Sequence, residues 1–435
     1  MNNLALDFLD FIKKSPTAYH ATANLAQILE ANGFIRLYEH EVFKIALGGK
    51  YYITKNDSSI IAFKAPTSLE DLSFNIAASH TDSPTFKVKP NETITSAVNT
   101  LMLSLEPYGG TIYSTWLDRP LSLAGRVSYL DEGKIISRLV KVERPLCVIP
   151  NLAIHQNRSI NDGYKYQANV DMLALLSANK EDKLADIIKH EAKLGEKEIL
   201  GMDLTLYNYD RGHLFGANNE FMLAPQIDNL ECSYLTLCGF LAGGNAKSVN
   251  VYASFDNEEV GSGTKQGALS TFLLDTLERL SLSLGLRHEE FKMALAKSFM
   301  LSCDNAHAMH PNNPQISDSG NKVYLNGGIV IKTNANQSYT TDSVSQALFK
   351  AILNDAKVKY QMFANRSDQR GGSTLGHLAL EHVSIDTVDI GLAQLAMHSA
   401  METAGALDLE TLVLGLKAFY NKHLTKKKDN NFIIE

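Results

Sequence analysis

The strongest constraint on the fold is an alternation of strand-like and helix-like segments in the chain after residue 225. Short apolar runs bounded by turn residues alternate there with stretches of helical periodicity. The predicted elements are a helix at 228–239, a strand at 249–255, a helix at 267–282, strands at 299–303 and 329–332, and helices near 344–353 and 409–422. Alternation of this kind predicts an α/β sheet that is flanked by helices.

The start of the chain fits the same architecture. Apolar spacing predicts helices around 4–12 and 25–29, the second ending at Gly33, then a hairpin at 51–64 around Asn56-Asp57. A buried strand follows at 74–79. These elements belong with the later α/β segments.

The middle of the chain is different. Between residues 90 and 224, short alternating stretches such as 101–105 and 125–129 are separated by Gly, Pro and Asn, with one helix predicted near 170–178. Because single cores stop growing at about 250 to 300 residues, a chain of 435 residues is expected to form two domains. We predict a discontinuous α/β domain of residues 1–89 and 225–435, a mixed sheet flanked by helices, interrupted by an inserted β-rich domain of residues 90–224.

Composition excludes several classes of partner. Lys and Arg total 41 against 48 Asp and Glu, a net charge of -7, and the one basic run, 426–428, is interpreted as a solvated tail, so no nucleic-acid partner is expected. Four cysteines without a CxxC pair favour a reducing cytoplasm. The N-terminal residues lack the pattern of a signal peptide, and no apolar run reaches the roughly 18 residues of a membrane span, so no membrane partner is expected.

Acidic and histidine residues follow three of the predicted strands. His80 and Asp82 follow the strand at 74–79, the Glu258-Glu259 pair follows the strand at 249–255, and Asp304 follows the strand at 299–303. A single such residue is more often a solvated loop acid or a helix cap. In open α/β sheets the carboxyl ends of strands face the ligand crevice, so three such ends favour a functional site.

The residue types at these strand ends are suited to metal-dependent hydrolysis. His80 and Asp82 point the same way on an extended backbone, so the carboxylate can accept from the imidazole nitrogen that a metal does not use. Adjacent side chains diverge, so one glutamate of the 258–259 pair can bind metal while the other takes a proton from water. Nitrogen and oxygen ligands suit zinc, manganese or cobalt.

Five motifs resemble those of the aspartyl aminopeptidase family, and they occur in family order. They are SHTDSP at 79–84, PQIDNL at 225–230, DNEEVGS at 256–262, DNAHAMHPN at 304–312 and QLAMHS at 394–399. The match extends from the first predicted helix to the last. Spacing alone does not select Asp228 or His398 from the other acids and histidines, whereas the resemblance does.

The resemblance implies a zinc-peptidase-like catalytic domain that holds two divalent ions per subunit, with zinc expected first and manganese or cobalt as alternatives. The implied ligands of one ion are His80, Asp228 and Asp304. The implied ligands of the other are Asp228, Glu259 and His398, so Asp228 bridges the ions. Asp82 is implied to orient His80, and Glu258 to be the general base, with His307 and His310 outside the ligand set.

The resemblance also implies substrate contacts and an assembly. His155 is implied to reach from the inserted domain, here a dimerisation domain, into the partner subunit's active site, and Lys332 and Tyr339 to contact substrate. The alternatives are a packed interface histidine for His155 and a solvated strand-end lysine, or one that balances site carboxylates, for Lys332. A homo-oligomer is implied, a dodecamer built from dimers.

These residues predict an aminopeptidase that removes N-terminal residues from peptides with metal-activated water and Glu258 as general base. Lys332 near a metal cluster favours N-terminal Asp or Glu, because a substrate carboxylate is a natural counter-ion. Three alternatives remain: an aminopeptidase for neutral N-termini, a related two-metal deacylase or carboxypeptidase, and a catalytically silent assembly protein.

Overall fold

The structure is a computed structural model that describes residues 3–369 and 371–435. The α-helices within these residues are α1 (Asn3–Lys14), α2 (Ala18–Ala31), α3 (Ala168–Asp171), α4 (Leu184–Glu191), α5 (Ile227–Ala242), α6 (Phe272–Ser283), α7 (His288–Ala296), α8 (Ser343–Asp355), α9 (Leu375–Ala379) and α10 (Asp408–Asn421). Short 3₁₀ helices occupy Tyr113–Trp116, Ile160–Asp162, Glu258–Val260 and Pro314–Ile316. None of the described helices is long and apolar enough to cross a membrane.

The strands form four sheets. In chain order they are β1 (Ile35–Arg36), β2 (Lys50–Lys55), β3 (Ser59–Lys64), β4 (Phe74–His80), β5 (Thr85–Thr95), β6 (Leu101–Tyr108), β7 (Leu121–Asp131), β8 (Lys134–Lys141), β9 (Ala174–Ser177), β10 (Ile199–Asn208), β11 (His213–Phe215), β12 (Phe221–Ala224), β13 (Val249–Phe255), β14 (Phe299–Cys303), β15 (Ala306–His307), β16 (Ile329–Thr333), β17 (Tyr360–Ala364), β18 (Asp386–Gly391), β19 (Ala393–Leu395), β20 (Glu402–Gly405), β21 (Leu424–Lys428) and β22 (Asn431–Ile434).

The largest sheet has nine strands in the order β1-β2-β3-β13-β4-β14-β18-β16-β17. Its centre, β13, β4, β14 and β18, is parallel, while β16 is antiparallel to β18. Every residue of β4, β13 and β14 is buried, as expected for parallel strands covered on both faces. Helices α1, α2, α5, α8 and α10 cover one face, and α6, α7 and α9 cover the other. The predicted mixed α/β sheet flanked by helices is confirmed.

A second sheet of six strands, in the order β8-β7-β10-β5-β6-β9, has its own core around Phe86, Trp116 and Leu123. It is antiparallel and is built from residues between Thr85 and Asn208. The insertion predicted at 90–224 extends past the last strand of this sheet, which ends at Asn208. The strands that follow, β11 and β12, belong to a separate five-stranded sheet, β11-β12-β20-β19-β15, whose other strands lie after residue 305. The division into functional domains stays a prediction.

Several local predictions differ from the structure. The helix predicted near 170–178 is wrong: a four-residue α3 ends at Asp171, and β9 follows because Leu175 and Met102 pair across the second sheet. The helix predicted at 267–282 begins only at Phe272, and α5 has non-helical backbone angles at Asp228 and Asn229. Tertiary pairing overrides the local pattern at such positions.

The basic run at 426–428 is not a solvated tail, because it lies in β21 and pairs with β22. Nζ of Lys426 lies 2.6 Å from a carboxylate oxygen of Asp386 in the nine-stranded sheet. The C-terminal hairpin therefore packs on the main domain through an ion pair that local sequence does not reveal.

Candidate metal centre

Three of the implied metal ligands meet because their strands are parallel neighbours. The register pairs Phe255, the last residue of β13, with His80, the last residue of β4. Beyond Phe255 the 3₁₀ turn carries Glu258 and Glu259. Beyond β14 comes Asp304, whose N–H donates to the Ile390 carbonyl of β18 at 2.9 Å. Adjacent strand ends therefore bring these side chains to one edge of the sheet.

The other two ligands come from different parts of the fold. Asp228 lies at the start of α5, where its backbone has left the helical region, and it is 3% exposed. His398 lies in the loop between β19 and β20, with a positive φ of 70°. Both side chains reach the cluster at the strand ends.

The side chains form two groups that could each hold a metal ion, and the two groups share Asp228. Nε2 of His80 lies 3.6 Å from Oδ1 of Asp228 and 3.8 Å from Oδ1 of Asp304. Nε2 of His398 lies 3.3 Å from Oδ2 of Asp228 and 3.3 Å from Oε2 of Glu259. Within each group the ligand atoms lie within 4.8 Å of one another, and a further group joins His80 with Glu258 and Glu259.

Burial and mutual charge shift the pKa values in this cluster. Burial raises the pKa of Glu258 to about 8, with nearby carboxylates adding to the shift, and it raises that of Glu259 well above its usual range. Burial would also raise the pKa of Asp228, but the imidazoles of His398 and His80 hold it below its ordinary value. Burial opposes protonation of His80, yet the surrounding carboxylates raise its pKa well above normal.

A divalent cation fits these residues. Carboxylates outnumber imidazoles in a buried cluster, which is costly without added positive charge. Oδ1 of Asp228 and Oε1 of Glu259 are buried and have no hydrogen-bond donor among the described residues. All the atoms that could coordinate a metal ion are nitrogen or oxygen, and zinc binds both. Metal ions would supply the partners that these oxygens lack.

Asp82 connects the histidine to the glutamate turn. Its Oδ1 and its main-chain carbonyl lie 3.2 and 3.1 Å from Nδ1 of His80. Its carboxylate also accepts the main-chain N–H groups of Glu258 and Glu259, at 3.1 and 3.2 Å. The Tyr108 hydroxyl from the second sheet donates to the same carboxylate at 2.6 Å. One side chain therefore contacts the His80 ring and anchors the turn that carries two acids.

The turn after β6 packs directly on the site. The ring nitrogen Nδ1 of His398 lies 3.2 Å from the Gly110 carbonyl, and the Ile112 N–H donates to the His398 carbonyl at 3.0 Å. A Cβ atom on Gly110 would lie 3.2 Å from Nδ1 of His398, and one on Gly109 would lie 3.1 Å from Cβ of Glu259. The glycine pair lets the second sheet approach both His398 and Glu259, and no motif or spacing in the sequence indicates this contact.

Lys332 lies beside the cluster and is 1% exposed. Its Nζ donates to the main-chain carbonyls of Asp304 and Asn305 at 2.9 and 3.3 Å, and it lies 5.1 Å from the ring centroid of Tyr339. Burial opposes the charged form, but Asp304 and other neighbours raise the pKa of the ammonium above its ordinary value. It is therefore a buried cation and not a solvated strand-end lysine.

Other residues singled out by the sequence lie outside the ligand groups. His155 is exposed in the loop between β8 and α3. His307 packs against Phe363 with ring centroids 6.4 Å apart, and Nδ1 of His310 accepts the Asn312 N–H. Among the described residues, no group capable of holding a metal includes these three histidines.

The chain is similar to known proteins in sequence and in fold. A family model described as "Aminopeptidase I zinc metalloprotease (M18)" matches residues 11–420. A "Probable M18 family aminopeptidase 2" of Clostridium novyi is 45% identical over 425 residues, which cover 96% of this chain and 98% of that protein. Ape4, in a cryo-EM structure with Nbr1, has a TM-score of 0.92 at 36% identity, covering 96% of this chain and 85% of that chain. The S. cerevisiae mApe1 dodecamer has a TM-score of 0.84 at 27% identity, covering 96% of each chain.

The fold, the buried ligand cluster and these similarities define a hydrolase of the metallo-aminopeptidase class. The chain belongs to the M18 family of aminopeptidases. This family includes the aspartyl aminopeptidases, so the resemblance found in the sequence is confirmed. Family membership favours an aminopeptidase over the deacylase, carboxypeptidase and silent assembly alternatives.

Proposed function

We propose that this chain is a two-metal aminopeptidase that removes N-terminal Asp or Glu from peptides. The observation that carries the proposal is the pair of ligand groups joined at Asp228, each with a histidine and a further carboxylate. His80 and Asp304 complete one group, and Glu259 and His398 complete the other. Zinc is the expected metal from the ligand types and the family, with manganese and cobalt as alternatives.

Glu258 is the general base of the proposal. It lies beside the same cluster in the 3₁₀ turn, and with its neighbour Glu259 proposed as the metal ligand, its own carboxylate is assigned to proton transfer. When bound, divalent ions polarise the scissile carbonyl, lower the pKa of the attacking water and favour the ionised form of Glu258. Glu258 then accepts a proton from that water and donates it to the leaving amine.

The preference for acidic N-termini rests on Lys332, together with the resemblance to aspartyl aminopeptidases. An ammonium group has three N–H donors, and two of those on Lys332 are directed at main-chain carbonyls. The third donor is proposed to bind a substrate carboxylate, with Tyr339 beside it. A charge-assisted hydrogen bond of this kind distinguishes Asp or Glu from neutral residues.

The proposed assembly rests on a similar solved structure, and the proposed location rests on the cysteines. A dodecamer is supported by the mApe1 dodecamer. Its construction from dimers, and the action of His155 in the partner subunit's site, are proposed from the family resemblance. A cytoplasmic location is supported by the four free cysteines, three of which are buried.

The decisive experiment measures bound metal and substrate preference together. The chelator-treated protein is reloaded with zinc, manganese or cobalt and assayed on a panel of N-terminal amino-acid amides. We expect two ions per subunit and a higher kcat/KM for Asp and Glu than for Leu or Ala. A single ion per subunit contradicts the two-metal site, and a preference for neutral residues contradicts the acidic specificity.

A further inference from the structure

Glu402, the first residue of β20, links two of the proposed metal ligands through their main chains. Its Oε2 accepts the Asp228 N–H at 3.0 Å, and its Oε1 accepts the His398 N–H at 2.7 Å. The side chain is buried, with 1% exposure. Each carboxylate oxygen therefore holds one ligand, and both ligands belong to the same group with Glu259.

Neither ligand has regular helical or strand backbone angles, although Asp228 lies within the bounds of α5. Asp228 has φ -79° and ψ 106° at the start of α5, and His398 has φ 70° in a loop. A non-glycine residue keeps a left-handed conformation only where its surroundings over-determine it. Two hydrogen bonds supply that restraint: the His398 N–H donates to the Glu402 carboxylate, and the Ile112 N–H donates to the His398 carbonyl.

We propose that Glu402 is a positioning residue that sets the spacing of Asp228 and His398 and thereby the metal affinity of the group they form with Glu259. This inference rests on the proposed two-metal site. Partners that orient metal ligands affect affinity without touching the ion. The group of His80, Asp228 and Asp304 keeps two ligands that Glu402 does not contact, so its affinity is less dependent on Glu402.

Glu402→Gln tests the link because the amide has nearly the same shape but only one acceptor oxygen. Its NH₂ group would face a main-chain N–H, so one ligand loses its anchor. We expect the weaker of two zinc affinities to fall about 10- to 100-fold, measured by titration against a competing chelator. Bound zinc at limiting free metal falls from two ions per subunit to one, and kcat recovers at excess zinc.

Glu402→Asp separates positioning from charge. Aspartate keeps the carboxyl group but is one methylene shorter, so it cannot span both N–H groups at their present spacing. If Glu402 acts by position, this variant also loses affinity at one site. If it binds zinc as tightly as the unmodified protein, charge alone explains the loss in Glu402→Gln and the proposal is overturned.

Asp408→Asn is the matched control. Asp408 is also 1% exposed, and its carboxylate accepts the main-chain N–H groups of Asn326 and Gly328, both at 2.7 Å. Its loss should lower the melting temperature without changing either zinc affinity. Equal loss of zinc in this control, or zinc binding in Glu402→Gln equal to that of the unmodified protein, overturns the proposal.

The outcomes also distinguish this inference from the proposed function. If the unmodified protein binds one ion, the two-metal site fails and the positioning role falls with it. If it binds two and Glu402→Gln keeps both at full affinity, only the positioning role fails. If neither Glu402 variant folds while Asp408→Asn does, Glu402 is a folding residue and the proposal is overturned.

Discussion

At the scale of single residues, the buried carboxylates of the site differ in their hydrogen-bond partners. Both carboxylate oxygens of Asp82 accept hydrogen bonds from the protein. By contrast, one buried oxygen each of Asp228 and Glu259 has no hydrogen-bond donor among the described residues. Hydrogen-bonded acids hold structure in place, and acids with free oxygens are available to ions. In this respect Asp82 differs from Asp228 and Glu259, two of the proposed ligands.

Glu258→Gln should abolish turnover and leave metal content unchanged. The substitution removes a proton acceptor but none of the five proposed ligands. We expect kcat to fall roughly 10²- to 10⁴-fold, the usual contribution of general-base catalysis. Metal analysis of the same preparation is the control. Activity within about tenfold of the unmodified enzyme would exclude Glu258 as the base.

Lys332→Met should reduce cleavage of acidic N-termini and spare leucine. The ammonium is buried beside the cluster and has one donor not directed at a main-chain carbonyl. Its removal should cost about 1.5 to 3 kcal/mol in kcat/KM for an aspartyl amide, the energy of a hydrogen bond to a charged group. Equal losses on aspartyl and leucyl amides would show instead that Lys332 supports the loop of Asp304 and Asn305.

At the scale of elements, the site requires close approach of main chains. Strand β18 passes so near the loop after β14 that a Cβ on Gly391 would lie 1.8 Å from the Asp304 carbonyl oxygen. The Asp304 N–H also donates to Ile390, the preceding residue. A glycine at the end of β18 therefore allows Asp304 to reach the cluster.

Gly391→Ala should lower both stability and metal binding. The added methyl group cannot fit without moving the Asp304 loop, a steric cost of about 3 kcal/mol or more in the free energy of unfolding. Gly201→Ala in β10 is the control, because a Cβ there has nothing within 4 Å. Both variants are compared by denaturant unfolding and by zinc titration. If Gly391→Ala matches Gly201→Ala in both stability and zinc affinity, the close approach at Gly391 is unimportant.

At the scale of the molecule, the second sheet contributes to the site of its own chain through Tyr108 and Gly110. His155 lies in the same part of the chain but is exposed and outside the ligand groups. The proposed dimer gives this exposed histidine a function in the partner's site. A residue that acts in trans can be detected by complementation between two inactive variants.

Mixing inactive His155→Ala and Glu258→Gln subunits should restore activity if they exchange. A mixed dimer contains one site with both residues intact, so random exchange yields at most about a quarter of the activity of the unmodified enzyme. Each variant alone, taken through the same exchange procedure, is the control. Absence of recovery despite demonstrated exchange would contradict action in trans.

The sequence by itself determined the strands at 249–255 and 299–303, the mixed α/β sheet flanked by helices, and the strand ends where His80, Glu258 and Asp304 lie. These features follow from local periodicity and from the rule that carboxyl ends of parallel strands face one edge. Asp228 and His398 came from family resemblance, because spacing does not distinguish them from other acids and histidines.

Only the tertiary structure revealed the contacts of Glu402, Gly110 and Gly391, and the pairing of β12 with β20. Each depends on contacts between segments far apart in the chain: a carboxylate that spans two main-chain N–H groups, or a missing side chain that allows two main chains to meet. Local propensity carries no record of such contacts, since they form only when the sheets assemble around the site.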